Sequence, residues 1–359
     1  MGCIEKAIGG QNMELTRLVN QNYMKQIRIM LCIVAAGLPF AVRSQQNIQF
    51  TQYIFNSMSI NPAYAGYKEE WFGQLGMRSQ WVGLDGAPQT ALLSVDGLLD
   101  GLGYKRHGLG LQLSADGLGP QSANSAYVNY AFRLRLNDED TQRLSFGLGA
   151  GVTQYSLDGT LLDPVSSGDP VVPPNRISNF IPDIRFGVYY YNPRWYAGIS
   201  VMDLLSGDQS NNIFRWDNTT TDNIRRRRHI YFMGGALLNL GGGTRLRPSL
   251  LLKEDFKGPT SLDLNAMFVF GDRFWIGGGW RTGVTVFKKD YERFTGNALN
   301  RRNSVSAITQ LYATPTLRIG YSYDHILSQL SSVQNGSHEV TLGITFGRRD
   351  QRLLSPRFF

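Results

Sequence analysis

Histidine and acidic residues are the side chains of this 359-residue chain that could do acid, base or metal chemistry. Asp324 and His325 adjoin each other near Ser322, so a hydrolase triad is one interpretation, and ordinary solvated neighbours in a polar loop are the other. No two of the four histidines have a metal-ligand spacing such as HExxH; they are His107, His229, His325 and His338. Gly108 and Gly110 alternate along a predicted strand instead of opening a helix, so no phosphate-binding loop is present. The sequence therefore predicts no enzyme, no cofactor and no metal site.

The first 44 residues have the pattern of a leader that carries an export signal. A basic stretch from Met24 to Arg28 precedes an apolar stretch from Ile29 to Phe40, and Ser44 offers a small residue for cleavage before residue 45. A buried core helix is the alternative, which the interrupting proline and arginine of this stretch disfavour. We predict a signal peptide over 24–44, with residues 1–23 as an upstream extension that is translated only if an earlier start than Met24 is used.

Both cysteines, Cys3 and Cys32, lie in this leader. The mature chain therefore has no thiol, which excludes disulfides, zinc thiolates and cysteine catalysis. Cys32 follows Leu31 rather than a small residue, which argues against a lipoprotein.

The charge of the chain is modestly basic and scattered. Removal of residues 1–44 takes away five basic and two acidic residues, so the net charge falls from +8 to +5, which gives little support to a nucleic-acid partner. The one dense run, Arg225, Arg226, Arg227 and Arg228, is interpreted either as a solvated outer rim against acidic lipid head groups or as a docking patch for an acidic protein.

The elements that must position these residues are β-strands. Apolar and small or polar residues alternate strictly over 144–152, 262–266, 316–324 and 340–346, and no sustained helical period follows residue 70. Similar candidates bring the total to about fourteen strands. They are 72–82, 88–97, 107–115, 122–136, 180–191, 194–203, 228–240, 244–254, 272–281 and 302–312.

The connections between these strands alternate in length from residue 137 onward. Short turns near 137–140, 192–193, 241–243, 271–272 and 313–314 alternate with long loops near 157–179, 204–227 and 282–301. Outer-membrane barrels have short periplasmic turns and long outer loops, whereas a soluble β-sandwich has no reason to segregate them. The sequence therefore predicts an all-β transmembrane antiparallel barrel of the bacterial outer membrane, at 71–346.

Charged residues fall on the strand phase that would line the lumen. We interpret them as a salt-bridge network that braces the wall, with a pathway for an anionic solute as the alternative. They are Arg78, Asp96, Arg133, Arg135, Asp183, Arg185, Arg247, Lys253, Asp263, Arg281, Arg318, Asp324 and Glu339.

The start of the mature chain, 45–70, is too irregular for a lipid-facing strand, and we expect it against or inside the barrel on the periplasmic side. Its residues 49–56 and Asn61-Pro62-Ala63-Tyr64-Ala65-Gly66, followed by 78–90, resemble the PorP/SprF family of type IX secretion and gliding-motility membrane proteins of Bacteroidetes. The stretches 108–110, 116–120 and 248–253 are similar to that family too, so the resemblance runs from about residue 46 to 346.

The resemblance implies a non-enzymatic outer-membrane component of the type IX secretion system. Such a protein assists secretion or surface anchoring of cargo such as adhesins, with other secretion or gliding components, cargo protein and outer-membrane lipid as partners. It implies neither nucleic acid nor a small-molecule substrate. The main alternative is an outer-membrane uptake channel for small or hydrophobic solutes; an outer-membrane hydrolase and a soluble β-sandwich binding module are further ones.

The family motifs supply the candidate site. Their residues are either partner contacts or structural elements, with a hairpin between the first two strands and an Arg78 to Asp96 pair across it as the structural version. The candidates are Asn61, Pro62, Tyr64, Gly66, Arg78, Trp81, Gly83, Gly86, Pro88 and Thr90. A basic tail, 347–359, is expected to hang in the periplasm.

Overall fold

The protein is described by a computed structural model over residues 49–99, 105–162, 172–206, 227–256, 258–271, 273–287 and 303–346. The predicted leader, Arg225, Arg226 and the predicted tail lie outside the described residues. No helix in these ranges is long and apolar enough to cross a membrane.

Strands in a single antiparallel sheet make up most of the described chain. They are β1 (Trp71–Ser79), β2 (Gln89–Leu98), β3 (His107–Leu118), β4 (Gln121–Arg135), β5 (Arg143–Asp158), β6 (Arg176–Tyr191), β7 (Trp195–Met202), β8 (His229–Ala236), β9 (Leu238–Gly241), β10 (Thr244–Glu254), β11 (Thr260–Phe270), β12 (Phe274–Val284), β13 (Ser304–Tyr312), β14 (Leu317–Ile326) and β15 (Ser337–Phe346).

The sheet closes on itself. Each strand pairs with its neighbour, β15 pairs with β1, and β10 pairs with β11. The short β9 continues β8 along the same edge of β10 after Leu237. With β8 and β9 counted as one strand, the barrel wall has fourteen strands. The predicted fold class is confirmed, and each predicted strand corresponds to one of these fourteen.

The two faces of the strands show why the alternation produces a membrane barrel. In β15, Glu339 and Thr341 point inward at 1% and 3% exposure, whereas Val340 and Leu342 point outward at 46% and 39%. Water outside the barrel would make this arrangement unfavourable, since burial of apolar surface is the main stabilising term in a soluble protein. In a membrane barrel the apolar side chains face lipid and the polar side chains face the lumen, so the same arrangement is favourable. This pattern excludes the soluble sandwich.

The connections define two ends of the barrel. The turn end carries the tight connections 192–194, 242–243, 271–273 and 313–316, whereas the loop end carries 159–175, 203–228 and 285–303. Two short connections, 119–120 and 255–259, also lie at the loop end. The three long loops are therefore at the predicted end, whereas short connections occur at both ends. In outer-membrane barrels the end with short turns faces the periplasm.

Candidate functional site

Residues 49–70, called the plug segment here, lie inside the barrel. Three short 3-10 turns, Tyr53–Phe55, Ser57–Ser59 and Pro62–Tyr64, fold the segment into a compact body whose side chains are almost all buried. Asn61 starts the third turn, because its side-chain oxygen accepts a hydrogen bond from the Ala63 N–H at 2.9 Å and the following proline has no backbone N–H that needs an acceptor. The lumen is therefore filled by the chain itself.

The plug segment runs between the two ends of the barrel. Thr51 lies in the loop half, where its N–H donates to Glu339 Oε2 at 2.7 Å. Glu69 lies at the turn end, where it pairs with Arg133 and Lys105 at 3.2 and 3.0 Å. The segment thus extends along the lumen rather than remaining at the turn end alone.

Glycines of the barrel wall form a seat for the third turn. A Cβ added to Gly147 would collide with the backbone of Ala63, and one added to Gly187 would collide with the Asn61 side chain. The Asn61 side-chain amide in turn donates to the carbonyls of Val188 and Ile199 at 3.0 and 3.3 Å. Only glycine allows the backbone of the plug segment to approach the strands this closely.

A buried ion cluster joins the plug segment to the seam of the barrel. Arg78 pairs with Asp324 at 2.6 Å and with Glu339 at 3.1 Å, and also donates to Thr51 Oγ1 at 2.8 Å. All three charged side chains are 4% exposed or less. Such charges are tolerated because they are paired and hydrogen-bonded.

The predicted pair between Arg78 and Asp96 is wrong. The register of β1 and β2 places Arg78 opposite Thr90 and Phe72 opposite Asp96. Asp96 instead accepts a hydrogen bond from the Gly66 N–H of the plug segment at 2.9 Å.

The other predicted lumenal charges also lie inside, with one exception. Asp263 pairs with Lys253 at 2.8 Å and with Arg281 at 2.7 Å, which favours the bracing network over an anion pathway. Arg135 is exposed, because it is the last residue of β4 at the turn end.

The turn end is closed by a polar and aromatic layer. Arg133 donates to Tyr191 Oη at 2.6 Å and to Glu69, and Tyr67 packs against Tyr191 with ring centroids 4.7 Å apart. Burial by itself raises the pKa of Glu69, but Arg133, Lys105 and Arg143 outweigh it, so the pKa lies below its ordinary value. Glu69 is therefore ionised at neutral pH and holds the end of the plug segment to the wall.

The hydrolase interpretation has no geometric support. Asp324 points into the lumen, where it is bound by Arg78, whereas the adjacent His325 is exposed on the opposite face of β14. Among the described residues, no group of three histidine, cysteine or acidic side chains is arranged to hold a metal ion.

A cavity of about 110 Å³ lies above the plug segment in the loop half of the lumen. Its floor includes Phe50, Tyr53 and Ile60 of the plug segment, and its walls come from β2 to β10. Polar residues such as Arg185 and Lys253 line the walls. This space, called the outer cavity here, lies on the loop side of the plug segment.

The motif residues fall into two groups. The side chains of Asn61, Pro62, Tyr64, Arg78 and Thr90 are buried, and Gly66 lies against Gly108. The β1 to β2 connection at the loop end contains Trp81, Gly83, Gly86 and Pro88, and both of its glycines have positive φ. Arg227 and Arg228 of the predicted basic patch also lie at the loop end, just before β8. Contact of the motif residues and of these arginines with partner proteins stays a prediction.

Some residues that the structure brings together were not singled out from the sequence. Thr51, Gln52 and Glu69 of the plug segment bind the wall, and Gly147 and Gly187 seat it. The recurrence of glycine on the lumenal phase of neighbouring strands was the available signal for this seat.

Comparison with known proteins gives one family. The family model for the type IX secretion system membrane protein PorP/SprF matches residues 42–344. No curated protein matches the sequence significantly.

Solved structures of other barrels are similar only in fold. The toluene transporter TbuX of Ralstonia pickettii is 10% identical, with 81% of this chain and 93% of that chain covered and a TM-score of 0.48. A FadL homologue of Pseudomonas aeruginosa is 11% identical, with 82% and 94% covered and a TM-score of 0.44. Omp33 of Acinetobacter baumannii is 8% identical, with 77% and 99% covered and a TM-score of 0.43.

Proposed function

Since the chain belongs to the PorP/SprF family of type IX secretion system membrane proteins, we propose that it is a non-enzymatic component that assists the secretion or surface anchoring of cargo such as adhesins. It is an outer-membrane β-barrel and a component of that secretion system.

The filled lumen supports an accessory role more than a transport role. The plug segment places fully buried groups such as Ile54 and Ala65 across the interior, and the wall glycines fit its backbone. A folded or extended cargo chain has no passage past these contacts. The barrel therefore acts through its two ends rather than through its lumen.

The loop end supplies the surface for cargo. The three longest connections gather there, and loops on a rigid scaffold commonly carry binding function. The β1 to β2 connection is fixed beside the β14 to β15 connection, because the Val82 N–H donates to the Gly336 carbonyl at 2.9 Å and the Asn335 N–H donates to the Val82 carbonyl at 2.7 Å. This rigid part gives cargo a defined rim.

The turn end would meet the other secretion components. Lys105, Arg106 and Arg135 are exposed there, beside Asp138 and Glu139. A charged surface of mixed sign suits a specific but reversible protein contact. We propose that periplasmic components of the secretion or gliding apparatus bind this end.

Loop replacement tests the cargo role. We expect that replacing 163–171, 207–226 and 288–302 with short Gly-Ser linkers lowers the surface amount of a co-purifying secreted protein at least tenfold. The amount of heat-modifiable barrel in the outer membrane should remain unchanged. In a matched variant, a short Gly-Ser linker replaces 136–142 at the turn end. The secreted protein should still bind to the purified barrel of this variant. Unchanged cargo capture by the loop-replaced protein would contradict the proposal.

A further inference from the structure

The outer cavity contains an arginine whose guanidinium makes no hydrogen bond to the part of the chain that the structure describes. Arg185 lines the cavity, and its guanidinium lies 3.2 Å from the centroid of the Tyr127 ring. Its one ion pair, with Asp183 through Nε, is long at 3.9 Å, and Nε has no hydrogen-bond partner among the described residues. The stacking fixes the guanidinium plane while its fork of donors stays available to an acceptor.

A second unsatisfied group lines the same cavity. Gln112 is 5% exposed, and its side-chain oxygen has no hydrogen-bond partner among the described residues. Ser114, Ser125 and Thr153 add hydroxyl groups to the wall. A buried acceptor without a partner is costly, so its presence beside a cavity points to a ligand that carries an N–H or O–H donor as well as an anionic group.

An apolar patch adjoins this polar region through Tyr155, which also lines the cavity. Strands β5 and β6 pair with each other as far as Asp158 and Arg176, whereas β6 pairs with β7 only from Phe186 onward, so β5 and β6 extend past β7 at the loop end. On their lumenal face, Leu157 packs with Tyr155, Ile177 and Ile181. Moving outward along β6, the lumenal residues are Arg185, Asp183 and Ile181 in that order.

The cavity has a blind inner end, because the plug segment forms its floor. The plug segment therefore blocks passage from the cavity toward the turn end. The matching ligand has a carboxylate at the bottom of the cavity and a backbone amide and apolar side chains above it. The C-terminal end of a polypeptide has these groups in this order.

From this order of groups we infer that the outer cavity binds the C-terminal end of an extended peptide. The terminal carboxylate binds Arg185, the last amide donates to Gln112, and the apolar side chains lie along the patch of Leu157 and Ile181. This inference rests on the proposed cargo function and assigns a peptide site to the same end of the barrel.

Peptide binding to the full-length protein in detergent micelles tests the inference. The probe is a fluorescent hexapeptide, Gly-Ser-Gly-Val-Ile-Val, with either a free C-terminal carboxylate or a C-terminal amide. We expect the free acid to bind at least tenfold more tightly than the amide, since a charge-assisted pair is lost in the amide. Arg185→Gln should remove this preference and Arg185→Lys should retain part of it, because lysine keeps the charge but not the fork. Arg135→Gln, at the exposed turn end, is the matched control and should keep the preference.

Four outcomes overturn the inference. They are equal binding of acid and amide to the wild type, a preference that survives Arg185→Gln, no saturable binding up to millimolar peptide, and saturable binding of glucuronate in place of the peptide, which would assign the cavity to a sugar acid. A cell experiment separates this site from the proposed function. If cargo retention is normal in Arg185→Gln but lost after loop replacement, the proposed function holds and the carboxylate site does not.

Discussion

At the scale of single residues, the interior of this barrel contains two clusters of paired charges. Arg78 binds Asp324 and Glu339, and Asp263 binds Lys253 and Arg281. Charges that are removed from water are stable only when partners satisfy them, and loss of one partner leaves an uncompensated charge behind. The same rule applies where the plug segment ends, at Glu69.

Substitution of Glu69 tests whether this ion pair holds the plug segment. We expect Glu69→Gln to lower the free energy of unfolding by about 1–3 kcal/mol at pH 7, because Arg133 loses a charged partner in a buried site. The measurement is urea unfolding followed by tryptophan fluorescence. Glu139→Gln, at an exposed turn-end position, is the matched control and should have little effect.

The effect of Glu69 should depend on pH in a defined direction. The pKa of Glu69 in the folded protein lies below the ordinary value of 4.5, so its contribution is fully present above about pH 4.5. It is lost as pH falls through the lower folded pKa, where wild type and Glu69→Gln should become equally stable. A stability difference that stays constant down to pH 3, or grows there, would contradict the assignment.

At the scale of elements, the fit between the plug segment and the wall decides whether the lumen is filled. Gly147, Gly187 and Gly108 lie on three strands, where Gly147 and Gly108 meet the backbone of the plug segment and Gly187 meets the Asn61 side chain. The plug segment has no strand pairing of its own, so these contacts and its hydrogen bonds to the wall hold it in place.

Gly147→Ala should displace the plug segment. The new Cβ would meet backbone atoms of Ala63, and overpacking of this kind costs about 1–3 kcal/mol. Residues 45–359 contain no cysteine, so in a chain without residues 1–44 Ser57→Cys, at a position that is 1% exposed, reports on the plug segment through maleimide labelling. Labelling should be slow in the Ser57→Cys protein and at least tenfold faster after Gly147→Ala is added.

Gly76→Ala is the control for this experiment. Its Cβ would meet only side-chain atoms of Phe50 and Thr341 at 3.8 Å, so labelling of Ser57→Cys should stay slow. Equal labelling rates in the Gly147→Ala and Gly76→Ala proteins would show that the glycine seat does not hold the plug segment.

The strands could be predicted from the sequence because alternation is a local signal. Residues 340–346 alternate clearly enough to assign both the strand and its lipid-facing side. The partner of Arg78 could not be predicted, because Asp324 and Glu339 become its neighbours only when β14 and β15 close the barrel beside β1. The path of residues 49–64 could not be predicted either, because turns of three residues have no periodicity.

At the scale of the whole molecule, the barrel has an apolar outer face, a filled interior and two different ends. Lipid satisfies the outer face, and the plug segment satisfies the inner one. What remains for function is the loop end, with its outer cavity, and the turn end, with its exposed charges. This division is the physical basis for the proposed role as an accessory of secretion rather than a conduit.

Single-channel recording in planar lipid bilayers tests this account most directly. We expect the purified wild type to show no stable conductance steps, because the plug segment and its ion pairs close the lumen. Deletion of residues 49–70 should produce stable steps, and Gly147→Ala should produce intermittent ones. Stable steps in the wild type equal to those of the deletion variant would contradict the account and favour the uptake channel.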